Sequence, residues 1–451
     1  VATGYSKSDF YGWTVLLSGI HTMQVLTNSH FPVAIIGGGQ AGLSISYCLK
    51  QRGIDHIVFE KNKIAHSWRS KRWDSFCLVT PNWQCMLPGY PYSGHAPDGF
   101  MQRDEIVRYI EDYAAFIKPL IKEGVTVSKI YKPENVFEID TSIGHYVADQ
   151  VVVATGGYHT PKIPRMAERL PLNLTQLHSS EYKNPESLPE GGVLVVGTGQ
   201  SGCQIAEDLH LAGKQVHLCV GGAPRAPRAY RGKDVVDWLD QMGYYDMSID
   251  DHPQKESVRT KTNHYVTGRD GGREIDLRRF ALEGMHLYGK LKFIDRQHLE
   301  FTDDLGRNLD QADAVAESIK HTIDAYIEKN QLDAPVEPPY QSVWQPQSGP
   351  LSLDIETANI STVIWSTGYH TDFSWIDIPV FDGKGYPGHE RGVTTSRGLY
   401  FLGLPWLYTW GSARFSGIAR DANYLADCIA LKHRVLPRQL GRNVNEVALG
   451  S

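Results

Sequence analysis

The sequence predicts an α/β protein made of two Rossmann-like dinucleotide-binding domains, the second inserted in the first. Three observations predict it: a strand, glycine turn and helix unit at residues 33–60, a second copy at 193–220, and a short apolar strand ending in small residues after each copy. In the first unit the apolar strand 33–36 runs straight into Gly37-x-Gly39-x-x-Gly42. That spacing turns the chain tightly, lets its backbone approach a pyrophosphate, and opens a helix at Gln40 and Ala41 whose first amides face the anion. Glu60 ends the next strand, with Lys61 after it, where a carboxylate accepts hydrogen bonds from ribose hydroxyls. A glycine triplet alone is weak evidence; strand, triplet, helix and acid in that order are specific.

The second unit runs through Gly197-x-Gly199-Gln200-Ser201-Gly202, a helix to Leu211 and a strand over 215–220. Eighteen residues past its third glycine, where the first unit has Glu60, stands Val220, and Arg225, Arg228 and Arg231 follow. Loss of the carboxylate beside guanidinium groups is the pattern for a 2′-phosphate, hence NADPH through Arg225 and Arg228. The alternative for each arginine is a solvated basic loop.

Residues 149–157 form an apolar strand closing on Ala154-Thr155-Gly156, and 361–369 repeat the pattern with Ser366-Thr367-Gly368-Tyr369. Their recurrence after each glycine unit predicts an internal duplication. A strand at 398–403 and a helix from Ile418 to Leu431 come late in the chain and return to complete the first domain. The resulting division is an N-terminal extension over 1–30, with Met23 as candidate start, a first domain over 31–170, an inserted domain over 171–372, the first domain's completion over 373–437, and a tail over 438–451.

Composition is that of a globular enzyme. The 451 residues are 41% apolar and 21% charged, enough for two or three cores. A net charge of −6 and a pI near 6.3 give no footprint for nucleic acid or an anionic membrane. No apolar run reaches the roughly 18 residues that span a bilayer. Six scattered cysteines without a CxxC pair predict reduced thiols in a cytoplasmic protein. Expected partners are therefore a small-molecule substrate and O2, with a homodimer left open.

This arrangement resembles the two-dinucleotide-domain flavoproteins, and within them the class B flavin-dependent monooxygenases. The resemblance covers residues 31 to about 435 and rests on Gly37-x-Gly39-x-x-Gly42 with Glu60, the pair Trp68-Arg69, Ala154-Thr155-Gly156, Gly197-x-Gly199-x-x-Gly202, and Ser366-Thr367-Gly368-Tyr369. Residues 266–335 are similar to a bacterial branch of flavoprotein oxidoreductases whose genes accompany a nitrilase. The resemblance implies FAD in the first unit and NADPH in the second. It implies hydride transfer to the flavin, then a C4a-peroxyflavin that oxygenates a small substrate. The family fingerprint Phe-x-Gly-x-x-x-His is altered to Leu172-x-Leu174-x-x-x-His178, which keeps open an NAD(P)H-dependent flavin oxidoreductase or oxidase without oxygenation.

Residues 73–88 mix aromatics and amides where relatives wrap the isoalloxazine ring. Asn82 or Gln84 is the candidate to steady the peroxyflavin, against the reading of a packed loop. Cys77 and Cys85 read as buried thiols rather than a redox pair. Trp238, Tyr244, Tyr245 and Tyr265 either roof a substrate pocket or pack a core. No metal site is expected.

Overall fold

The computed structural model describes residues 29–347 and 350–440; the expected extension up to residue 28 and the tail from 441 lie outside the described residues. The first domain is a parallel sheet built on β1 (Ser29–Ile36). A turn leads into α1 (Gln40–Gln51) and then β2 (His56–Glu60). After α2 (Arg103–Ile117) come β3 (Ile121–Glu123), β4 (Val127–Tyr131), β5 (Phe137–Thr141) and β6 (Gly144–Val153). β1 starts at Ser29, ahead of the apolar stretch, because residues 29–31 pair with Tyr146–Ala148 at the upstream end of β6.

Val33, Ala34, Ile35 and Ile36 are all buried, as a strand covered on both faces requires. One face carries α1 through Leu43, Cys48 and Leu49; the other carries the β4–β5 hairpin through Phe137 and Ile139. That hairpin pairs antiparallel with the upstream half of β6. The sequence pattern did not reveal it.

The second domain repeats the plan. It is assembled from β7 (Thr175–His178), β8 (Gly192–Val196), α3 (Gln200–Leu211), β9 (Val216–Cys219), β10 (His286–Tyr288), α4 (Leu305–Lys329) and β11 (Ile360–Trp365). Its five parallel strands run in the order β7-β11-β8-β9-β10. Ile205 and Leu209 of α3, with Leu305, Leu309 and Ala312 of α4, cover one face. A three-stranded antiparallel sheet covers the other through Ile294, Leu299 and Phe301.

α4 is 25 residues long. Leu305, Leu309, Ala312, Ala316, Ile323 and Ile327 keep one buried stripe along its length, as an amphipathic helix requires. The chain then returns to the first domain, where β12 (Leu399–Phe401) pairs with Val151–Val153 of β6. α5 (Ile418–Leu440) follows and packs Ile418, Ala422, Leu425 and Ile429 into the same core as α1. No described helix is long and apolar enough to cross a membrane.

Parallel pairing sets His217 of β9 beside His286 of β10, with ring centroids 4.6 Å apart. His217 is 2% exposed, its Nδ1 lies 2.8 Å from the Tyr288 hydroxyl, and its Nε2 has no partner. Burial first, and the His286 charge second, push its pKa down to about 4. An unfolded histidine titrates near 6.5, so the unfolded chain takes the proton first and stability falls as pH drops from about 6.5 towards 4. This group contributes up to about 3 kcal/mol to that loss. Urea midpoints measured across this window should fall less steeply for His217→Phe than for the parent protein; equal slopes would rule the histidine out as a contributor.

Candidate functional site

The two glycine units show three different demands for glycine. Gly37 and Gly197 have φ of +109° and +106°, and a Cβ on them would come within 2.6 Å of Ala154 O and 2.8 Å of Ser366 O. Gly42 and Gly202 have no conformational need, yet a Cβ there would sit 1.8 Å and 1.9 Å from the carbonyl oxygens of Gly37 and Gly197. Gly39 and Gly199 differ from both. Their backbones, at φ −78°, ψ −172° and φ −62°, ψ 175°, suit any residue. A Cβ on Gly39 would meet nothing within 4 Å, and one on Gly199 only Thr262 Cγ2 at 3.8 Å. Each thus presents bare backbone at the start of a helix, the surface a pyrophosphate needs.

Glu60 stands at the end of β2, with its carboxylate accepting from Gly38 N at 2.7 Å and Asn62 N at 2.8 Å. Lys61 beside it is exposed. Gln40 is a bridge: its Oε1 accepts from Trp68 Nε1 at 3.1 Å, and its Nε2 donates to Ala413 O at 3.3 Å. Trp68 in turn stacks on Phe415, with centroids 5.6 Å apart. Ala41 is buried beneath the turn, where it faces Gly403. Ala154 continues β6 by donating to Ile36 O, and Thr155 and Gly156 follow it to the surface. In the second unit Gln200 Nε2 donates to Val266 O, and Ser201 is half-buried in the first turn of α3.

The two domains meet where their closing strands cross. His178, fully buried at the end of β7, directs Nε2 to Gly368 O at 3.0 Å and Nδ1 to Ser180 Oγ at 2.9 Å. The carbonyl can only accept, so the ring is held with its proton on Nε2, and burial lowers its pKa. Thr367 Oγ1 donates to Lys162 O, and Tyr369 and His370 pair with Pro161 and Thr160.

Four expectations need correction. Arg225 is 1% exposed, lies 3.0 Å from Asp313 and 3.3 Å from Glu274, and stacks over Tyr340. Arg228, 4% exposed, pairs with Asp234 and donates to Val79 O. Both guanidinium groups are turned into the protein interior beside carboxylates, away from the surface where a phosphate would arrive. Arg69 likewise turns outward to Glu111. Asn82 uses both ends of its amide as a brace, donating to Ala96 O at 2.9 Å and accepting from Met101 N at 2.7 Å.

Gln84 differs, being 2% exposed with an Oε1 that has no partner. Among the cysteines none is paired, and burial raises the thiols of Cys77 and Cys85 to about 11 and about 12. Of the four aromatics, Trp238 and Tyr265 are core, whereas Tyr245 lies 4.7 Å from Trp410 of the first domain.

Sequence reasoning missed the charges that folding brings to the end of β9. Asn308 Nδ2 of α4 donates to Val220 O at 2.9 Å. Its neighbour Arg307, and Lys290 after β10, lie 3.8 Å and 3.6 Å from Asp304 while staying exposed. Their distance along the chain from Val220 left no local signal.

With this geometry in hand, similarity to known proteins is consistent. Residues 34–314 match the family described as pyridine nucleotide-disulphide oxidoreductase. An uncharacterized CzcO-like oxidoreductase of Geobacillus kaustophilus is 35% identical over 400 residues, covering 88% of this chain and 97% of that protein. Indole-3-pyruvate monooxygenase YUCCA6 of Arabidopsis thaliana is 33% identical over 42% of this chain and 47% of its own length. Among solved structures, the flavin-containing monooxygenase from Stenotrophomonas maltophilia superposes with a TM-score of 0.59 at 17% identity, covering 90% of this chain and 99% of that one.

The distinct demands at the glycines separate in a thermal melt. Gly42→Ala forces a Cβ into a carbonyl and should cost more than about 4 kcal/mol, leaving little folded protein. Gly39→Ala should shift the melting temperature by no more than about 2 °C. Comparable losses for both would contradict the assignment of Gly39 to ligand approach.

Proposed function

The chain belongs to the pyridine nucleotide-disulphide oxidoreductase family, as an enzyme of the oxidoreductase class, and we propose that it is an FAD-dependent, NADPH-reduced monooxygenase acting on a small organic substrate. The observation that carries the nucleotide reading is the bare backbone of Gly39 and Gly199, one at each helix start. The partial similarity to YUCCA6 supports the oxygenation reading. The balance is NADPH, a proton, O2 and substrate going to NADP, water and the mono-oxygenated product. When bound, FAD supplies the redox chemistry, taking a hydride from NADPH and passing its electrons to dioxygen.

The chain's own part is binding, orientation and exclusion of water. The first amides of α1 and α3 receive the two pyrophosphates, with Gln200 and Ser201 flanking the second. Glu60 keeps unused lone pairs for ribose hydroxyls. Gln40 and Trp68 fix the segment 413–415 against the first glycine turn. Thr155, Gly156, Thr367 and Gly368 end the closing strands where a nucleotide would cross. Gln84 is the one amide of its segment with an oxygen free of protein partners, and we assign it the polar contact to the flavin edge.

The 2′-phosphate falls to Lys290 and Arg307, since α4 ties that corner to Val220. Replacing either by alanine should raise KM for NADPH about tenfold or more and leave NADH little changed, because each charge-assisted contact contributes roughly 1.5 to 3 kcal/mol and about 1.4 kcal/mol is a factor of ten. Arg225→Ala should instead lower the melting temperature and keep the cofactor ratio. A loss of NADPH selectivity in Arg225→Ala alone would reverse the assignment.

A hydride-only oxidase remains the second reading, favoured by the engagement of Asn82 within the protein. NADPH consumption and hydrogen peroxide are measured together, with stopped-flow mixing of reduced enzyme and oxygen in the presence of NADP. Oxygenation predicts a transient absorbance before oxidised flavin returns, with consumption that rises with substrate. One-phase reoxidation with stoichiometric peroxide would establish the oxidase instead.

A further inference from the structure

The segment 244–263 of the second domain lies across residues 406–420 of the first. Ile249 N donates to Tyr408 O at 2.7 Å, Arg259 Nε to Trp406 O at 3.1 Å, and Arg420 Nη1 to Tyr245 O at 3.2 Å. Between the two segments stands Arg414. Its neighbours in sequence belong to the first dinucleotide unit, for Ala413 O is held by Gln40 and Phe415 stacks on Trp68. The Arg414 guanidinium lies 3.9 Å from the Trp410 ring centroid, and Nη2 donates to Asn263 Oδ1 at 3.0 Å. Nη1 donates to Trp410 O. Nε and one hydrogen on each Nη remain uncommitted.

Charge is the telling contrast. Arg225, Arg228 and Arg278 are buried, and each has a carboxylate within ion-pair distance, whereas Arg414 is half-buried. Arg414 has none among the described residues, although burial disfavours its charged form. The groups around it are phenols: Tyr158, Tyr244 and Tyr245 all act on it electrostatically. Tyr158 also acts on Arg72, a second guanidinium without a described carboxylate partner, which lies over Trp68 and Phe76. Tyr245 lies against Trp410, so the wall beside Arg414 is aromatic.

A half-buried guanidinium that faces aromatic rings and lacks a counter-ion is a ready partner for an arriving anion. We propose that Arg414 holds the carboxylate of an organic-acid substrate whose apolar body lies against Trp410 and Tyr245. The proposal rests on the reading of this cleft as the oxidation site. A carboxylate fits the two-pronged face of a guanidinium, and an aromatic wall takes a ring or alkyl chain. The nucleotide's phosphates share the anionic chemistry, and the test separates the two.

Saturation-transfer NMR detects phenylacetate on the purified protein and does not depend on flavin content or turnover. Phenylacetate should bind at least tenfold more tightly than its neutral isostere phenylacetamide. Arg414→Gln should erase that difference, Arg414→Lys should restore part of it, and both should leave the NADPH Kd unchanged. Melting curves certify the fold of each variant, and Arg225→Lys serves as a control that leaves phenylacetate binding intact. Equal binding of acid and amide to the parent protein would overturn the proposal. So would a weakened NADPH Kd in Arg414→Gln with acid binding preserved, which would give Arg414 to the nucleotide. Failure of the flavin reading would show separately, as colourless protein that still selects the acid.

Discussion

The approach of Gly42 to the carbonyl of Gly37, close enough that a Cβ would stand 1.8 Å from the oxygen, sets everything built on the first domain. It fixes the angle at which α1 leaves β1, and therefore the direction of the helix's first amides. It also leaves room for Ala154 to follow β6 past the same turn, with its amide donating to Ile36 O. The second domain repeats the constraint, with Gly202 on Gly197 and Ser366 donating to Val196 O. Two helix starts are thereby aimed by backbone packing alone, without any side chain having to hold them.

Their relation to each other is a separate matter, and it rests on polar groups at the crossing strands. His178 pins Gly368, and Thr367 pins Lys162. Asp208 of α3 gathers the Ser75 hydroxyl at 2.6 Å, the Tyr182 hydroxyl at 2.6 Å, and Arg269. Ser75 comes from the first domain, Tyr182 from the connection and Arg269 from the insertion, so one buried carboxylate indexes three parts of the chain. Tyr182 is correspondingly fully buried, its phenol pushed well above its ordinary range by burial and by the adjacent carboxylate.

What the sequence made legible follows from how local each cause is. The glycine units, their strands and the order of the two domains depend on residues close together in the chain, so spacing disclosed them. The antiparallel covers on both sheets were not legible, because residues such as Phe137 and Ile294 alternate too briefly to signal a hairpin. The arginines misled for a like reason. Arg225 follows β9 closely in sequence, but its carboxylates come from Glu274 and Asp313, far along the chain. Charge near a motif in sequence says where a guanidinium starts and nothing about which distant acid claims it.

Those claimed arginines organise the second domain itself. Asp313 of α4 stands 3.0 Å from Arg225 and 2.8 Å from Arg278, and Arg278 also donates to Trp344 O of the chain leading back to β11. A buried ion network of this kind adds little net stability, since desolvation offsets most of the Coulomb attraction. Its effect is positional. It ties the start of the insertion to α4, which packs on the nucleotide sheet, while the middle of the insertion reaches over residues 406–420. An apolar patch in place of Asp313 and its two arginines would tolerate sliding, whereas paired charges in a dry interior penalise every displaced ångström. Asp313 and its two arginines thereby hold α4 to the start of the insertion and to the chain returning to β11.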